Sequence, residues 1–121
     1  MAKYFKEKEY RCKCGCGLSN MNPILLAKLD IIREHLGKPM VINSGCRCEK
    51  HNKAVGGVAT SLHVASADKE ASAVDISCTD KKTRFDIIKL AIENGITGIG
   101  VHKSFVHLSY NMNTKEGVFL Y

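Results

Sequence analysis

The sequence predicts an α+β domain, a small antiparallel sheet with two main helices, and three observations carry that prediction. Two segments repeat apolar residues at helical spacing and are punctuated by capping residues at both ends. Short β-branched and apolar runs lie between and after them, bounded by glycine and polar residues. The order of these elements has no regular β-α-β alternation, which argues against a doubly wound parallel sheet. A chain of 121 residues is long enough to bury one core, so 1–121 is expected to be a single domain.

Residues 1–21 carry few apolar positions and several glycines, and read as a cysteine-rich N-terminal arm. Asn22-Pro23 then starts the first helix, with asparagine as N-cap and proline at the first helical position. Leu25, Leu29, Ile32 and Leu36 supply its core face, and Gly37-Lys38-Pro39 stops it. His35 falls in the last turn, on the surface. Met40 to Asn43 predicts a strand, and Glu49 to Gly57 a loop with room for one helical turn. His51 in that loop reads as a solvated or loop-bracing residue.

Ala73 to Ser77 predicts a strand with Val74 and Ile76 on one side and Asp75 on the other. Thr79 or Asp80 caps the second helix, whose expected core face is Phe85, Ile88 and Ile92, flanked by Leu90 and Ala91. Asn94-Gly95 ends it. Strands are expected from Thr97 to His102, from Phe105 to Tyr110, and at the tail from Gly117 to Tyr121.

A net charge of +6 favours anionic partners, whether nucleic acid or an anionic wall polymer. The lysines are scattered, there is no tryptophan, and neither feature suits nucleic-acid binding. No apolar run approaches the ~20 residues of a membrane span, and no hydrophobic region follows the basic start. Synthesis in the cytoplasm without a signal peptide is therefore expected, as a monomer.

Six cysteines are a heavy load for such a chain. Cys12, Cys14 and Cys16 alternate with single residues, Cys46 and Cys48 do the same, and Cys78 stands apart. In a reducing compartment they are thiols, metal ligands or small buried hydrophobes. Cys12, Cys14, Cys16 and Cys48 could hold a structural zinc, although the Cys-x-Cys spacing differs from the Cys-x-x-Cys of zinc ribbons.

Five short motifs then follow one another: Ser44-Gly45-x-Arg47-Cys48-x-x-His51-Asn52, Val55-Gly56-Gly57-Val58-x-x-Ser61-x-His63, Ala73-x-Asp75-Ile76, Gly98-Ile99-Gly100-Val101 and Phe105-Val106-His107. Taken together they resemble the zinc D-alanyl-D-alanine carboxypeptidase family, which includes phage and bacterial enzymes that cut peptidoglycan stem peptides and shares its fold with the Hedgehog signalling domain. The likeness runs from about Phe5 to Tyr110. It implies that His63, Asp75 and His107 are the ligands of one catalytic zinc. It also implies that Arg47 stabilises the oxyanion or binds a substrate carboxylate, and that Ser61 lines the substrate site or orients the His63 backbone. A guanidinium fork suits a carboxylate. Two imidazoles and a carboxylate would leave a tetrahedral zinc one open position, where hydrolysis takes place.

The chain departs from the family pattern in five places. Ala71 replaces a glycine, residues 64–70 contain an insertion that must bulge outward, Ser109 stands where relatives carry aspartate, and His102 where many have tyrosine. Some relatives also place an acidic base two or three residues before the last histidine, where this chain has Phe105 and Ser104. His102 is the expected catalytic base, since imidazole titrates near neutrality, with Asp68 or Glu70 as alternatives. The resemblance thus implies a zinc peptidase acting on peptidoglycan stem peptides, as a carboxypeptidase or a phage endolysin-type endopeptidase at the cell wall. The alternative is a catalytically impaired zinc module that binds cell wall or a protein partner.

Overall fold

The computed structural model describes residues 3–57, 61–66, 68–110 and 116–120. Val58 of the second motif, Ala67 of the inserted loop and Tyr121 of the expected tail strand lie outside them. The described elements are α1 (Glu7–Tyr10), α2 (Pro23–Leu36), β1 (Ile42–Ser44), α3 (Glu49–Ala54), β2 (Ala73–Ser77), α4 (Lys81–Glu93), β3 (Gly98–Val101), β4 (Phe105–Ser109) and β5 (Gly117–Leu120). Five strands form one sheet in the order β1-β2-β4-β3-β5. The class is α+β, as expected, but the sheet is mixed: β5 runs parallel to β3, and the other pairings are antiparallel. Among the described residues, no helix is long and apolar enough to cross a membrane.

The caps of α2 explain its bounds. Asn22 Oδ1 accepts from the backbone N–H groups of Ile24 and Leu25, and Pro23 opens the first turn. Gly37 closes the helix with φ +72°, a left-handed conformation that glycine adopts without Cβ strain. Between these ends Leu25, Leu29 and Ile32 are wholly buried. Each contributes about 1.5–3 kcal/mol by leaving water.

Helix α4 is capped by Asp80, whose carboxylate accepts from Thr83 N–H at 2.9 Å. Its core face differs in part from the expected one: Ile88 and Leu90 pack against the core and Ala91 joins it, but two of the expected residues do not. Ile87 and Ala91 are buried, whereas Phe85 and Ile92 are 62% and 60% exposed. The larger side chains suggested a stripe rotated away from the true one, which uses a small alanine and lies against α2. The N-terminal residues, read as an arm, belong to the body of the protein. Phe5 and Met21 join the core, Met21 bridges to Ala71, and Cys46 N–H donates to Tyr10 O at 2.8 Å.

Strand alternation divides the sheet into two faces. Val74 and Ile76 pair with Leu108 and Val106 across β2 and β4, and Leu108 pairs with Ile99 of β3. All five are buried in the core shared with α2 and α4. The intervening residues point the other way, so the opposite face presents Asp75 and His107. The register places one residue from every strand on a single rung: Ser44, Asp75, His107, Gly100 and Phe119, from β1 to β5.

Candidate metal centre

Asp75 and His107 are directly opposed on β2 and β4, with His107 Nδ1 3.0 Å from Asp75 Oδ1. His63 comes from the segment before β2, and its Nε2 lies 3.3 Å from the same oxygen. The three side chains are buried, and one ligand atom from each lies within 4.8 Å of the others. Backbone contacts fix the His63 segment: Arg47 N–H donates to His63 O, Ala65 N–H donates to Arg47 O, and Ser61 Oγ accepts from His63 N–H.

The second nitrogen of His63 decides what this cluster can hold. Its Nδ1 is 2.8 Å from Gly45 O, a carbonyl that can only accept, so Nδ1 carries the proton. In the neutral ring Nε2 then presents a lone pair to a carboxylate oxygen. Two acceptors face each other there, an arrangement that needs a cation between them or a proton on the ring. Burial alone would push the Asp75 carboxyl up, but its close contacts with the His107 and His63 rings and the charge interaction with them prevail and hold it at about 2. It is therefore an anion at neutral pH. A tetrahedron with metal–ligand distances of about 2.0–2.1 Å has edges of about 3.3 Å, close to the two separations found here. Donor set, tautomer and spacing all fit zinc.

The cluster opens into a cleft of about 650 Å³. Arg47 forms part of its wall, with Nη2 3.7 Å from Asp75 Oδ2, Nε donating to Ser44 Oγ and Nη1 donating to Asn52 Oδ1. Gly57 permits that arrangement, because a Cβ there would run into Asn52 Oδ1 and lie 3.1 Å from Arg47 Nη1. Ser61 also lines the cleft, and Val55, Leu62, Val118 and Phe119 give it an apolar wall. Phe119 reaches over Gly100 to bring its ring 5.2 Å from that of His107, at 61°.

The candidates for a catalytic base lie elsewhere. His102 sits in the β3–β4 turn, where Nδ1 accepts from Ser104 N–H at 3.0 Å and the ring stacks on Phe105 at 4.4 Å. It lines a separate recess with Arg84, Lys103 and Leu120; Phe105, not His102, borders the cleft. Asp68 and Glu70 are exposed on the inserted loop, which turns outward with Ser66 N–H donating to Lys69 O. Among the described residues, Asp75 is the one carboxylate lining the cleft.

The sequence reading passed over Ser44, Asn52, Gly45 O and Phe119. Ser44, Gly45 and Asn52 lay within a quoted motif whose spacing said nothing of their contacts. Phe119 had no signal, because its place depends on β5 joining the sheet beside β3.

The four cysteines meet as well. Cys12, Cys14, Cys16 and Cys48 each bring a sulfur within 4.8 Å of the others, so this cluster could bind a second metal. A backbone hydrogen bond at Cys16 pulls the Cys14 thiol down, but thiol contacts with Cys16, Cys12 and Cys48 prevail and push it up to about 12.

A comparison with curated proteins finds no match. A comparison with protein families matches residues 3–109 to Peptidase M15, a span that includes all three converging side chains, Arg47 and the four cysteines. M15 peptidases are zinc-dependent, in keeping with the donor set at the head of the cleft. With nearly the whole chain matched and the buried histidine–aspartate–histidine cluster in place, the protein belongs to the peptidase M15 family.

Proposed function

We propose that this chain hydrolyses peptide bonds in the stem peptides of bacterial peptidoglycan, as a D-alanyl-D-alanine carboxypeptidase or an endolysin-type endopeptidase. The observation that carries the reading is the convergence of His63 Nε2 and His107 Nδ1 on Asp75 Oδ1 at the head of a cleft that also holds Arg47. His63, Asp75 and His107 would hold the zinc. When bound, the metal supplies Lewis acidity toward a peptide carbonyl.

The remaining work falls to the chain's own groups. Gly45 O keeps His63 in the tautomer whose Nε2 faces Asp75. Arg47, braced by Ser44 and Asn52, offers its guanidinium to a substrate carboxylate or to the charge that develops on the carbonyl. Ser61 contributes a hydroxyl, and the apolar wall offers contact to small aliphatic side chains such as that of alanine. A net charge of +6 favours approach to an anionic wall. This reading has the chain act as a monomer once it has access to the cell wall, as a phage or prophage lysis protein would.

The test is incubation of zinc-loaded protein with purified sacculi, followed by assay of free D-alanine and new amino groups. D-alanine release marks a carboxypeptidase, and loss of cross-linked muropeptides marks an endopeptidase. A His63→Ala protein should do neither, and equal behaviour of the two proteins would refute the proposal. A second reading, a zinc module that binds wall without turnover, is favoured by one observation: no carboxylate besides Asp75 lines the cleft among the described residues. It predicts co-sedimentation with sacculi and no new amines.

A further inference from the structure

Cys12, Cys14 and Cys16 stand on the loop after α1, while Cys48 precedes α3 and adjoins Arg47. We propose that these four residues bind a zinc ion of their own as thiolates, a closed structural site that fastens the N-terminal segment to the loop presenting Arg47. The inference is independent of what the cleft hydrolyses.

Sulfur spacing is the first support. Cys12 Sγ lies 3.5 Å from Cys14 Sγ and 3.8 Å from Cys48 Sγ, and Cys14 Sγ lies 3.6 Å from Cys48 Sγ. A zinc tetrahedron with Zn–S of about 2.3 Å has edges of about 3.8 Å. A disulfide would need sulfurs at about 2.05 Å, and all six cysteines are free thiols. These three separations, with Cys16 Sγ within 4.8 Å of the other sulfurs, suit four ligands around one ion better than any pairing.

Backbone donors point at the same sulfurs. Cys48 N–H lies 3.4 Å from Cys12 Sγ, and His51 N–H lies 3.3 Å from Cys48 Sγ. Such outer donors orient metal-bound thiolates and offset their charge. The loop is also shaped for the task. Gly15 and Gly17 have φ of +89° and +81°, and Cys12 N–H closes the turn by donating to Leu18 O at 2.7 Å. Residues 13–17 are exposed, so apolar burial does little to hold Cys14 and Cys16 against Cys48. A shared cation supplies the missing force.

The ligand chemistry selects the ion. Four soft thiolates favour zinc or iron over magnesium or calcium, and a complete protein shell leaves no position for a substrate. Binding releases the thiol protons to solvent, leaving four thiolates on a dication. The consequence reaches the cleft through the backbone, because Arg47 next to Cys48 pairs with His63 and Ala65.

Elemental analysis of the full chain, purified under reducing conditions with zinc, tests the proposal. Wild type should carry about two zinc ions, His63→Ala/His107→Ala about one, and Cys14→Ser/Cys16→Ser about one. With cobalt as the probe, the histidine variant should keep an intense near-ultraviolet sulfur-to-cobalt charge-transfer band that the cysteine variant lacks. Hydrogen exchange at residues 46–54 should also quicken in the cysteine variant. A histidine variant without zinc and without that band would overturn the proposal, as would iron in its place or Cys48 found in a disulfide by mass spectrometry. Should the cysteine variant fail to fold, the histidine variant still decides. Loss of zinc from the cleft alone would instead bear on the peptidase reading.

Discussion

Arg47 Nη2 stands 3.7 Å from Asp75 Oδ2, while the other oxygen of that carboxylate faces both imidazoles. One carboxylate thus links the metal centre to the cation that would meet substrate. Arg47→Lys keeps the charge but loses the fork that spans Ser44, Asn52 and Asp75. Zinc content should stay unchanged, while kcat/KM on peptidoglycan fragments falls by about 10²-fold or more. Stability should drop by about 1–3 kcal/mol in urea, since the charge-assisted hydrogen bond from Arg47 to Asn52 Oδ1 is lost.

Removing a metal-facing oxygen is more damaging. Outer-shell substitutions cost roughly 10–100-fold in metal affinity, and Asp75→Asn alters the atom between the two histidines, so its loss should exceed that range. Competition with a chromogenic chelator measures it. Chelation of the wild-type protein should likewise lower Tm, and re-added zinc should restore it.

Acid should weaken the metal-free protein through the same carboxylate. Folding holds Asp75 at about 2, below the usual carboxylate value of about 3.9. The unfolded chain therefore takes up its proton first as pH falls. The associated stability, on the order of 2 kcal/mol, is present above pH ~4 and is lost by about pH 2. Urea titrations of chelated wild type between those limits should show this slope, and Asp75→Asn should lack most of it.

Gly57 bears on the Arg47 support by having no side chain. In Gly57→Ala the new Cβ meets Asn52 Oδ1 and crowds Arg47 Nη1. A loss of about 1–3 kcal/mol is expected, together with weakened turnover. Adding Asn52→Ala removes the obstruction, so the double variant should lose less than the two single losses combined.

His102→Gln separates two placements of proton transfer. Its ring lies in the β3–β4 turn, behind Phe105 and bonded to Ser104. Activity should therefore fall well short of the roughly 10²–10⁴-fold that removing a general acid or base costs. A loss within that range, with a displaced pH profile, would return the role of base to His102.

What could be read from the sequence depended on how local each signal was. Asn22, Pro23 and Gly37 act within a turn of their own positions, and α2 begins and ends where they indicate. The alternation at Val74, Asp75 and Ile76 is equally local, and it set the aspartate apart from the core face. Helix α4 was harder. Phe85 and Ile92 repeat with Ile88 at a spacing as regular as that of Ile87 and Ala91, and only contact with α2 decides that Phe85 and Ile92 face outward while Ile88 packs against the core. Four residues at Gly117–Leu120 cannot reveal their direction, so β5 was expected in an antiparallel sheet. The meeting of Cys48 with the Cys12–Cys16 loop, and the turning of His102 into a recess of its own behind Phe105, are tertiary facts that spacing does not encode.

The rung from Ser44 to Phe119 sets a timetable for assembly. Three thiols of the cysteine loop are neighbours in the chain and can capture an ion early, whereas Asp75 and His107 meet only after β2 has found β4. Slippage of either strand by one residue would send the two side chains to opposite faces and abolish the binding geometry. Occupancy at His63, Asp75 and His107 during refolding therefore reports a finished sheet, and a chain paired out of step stays chemically silent.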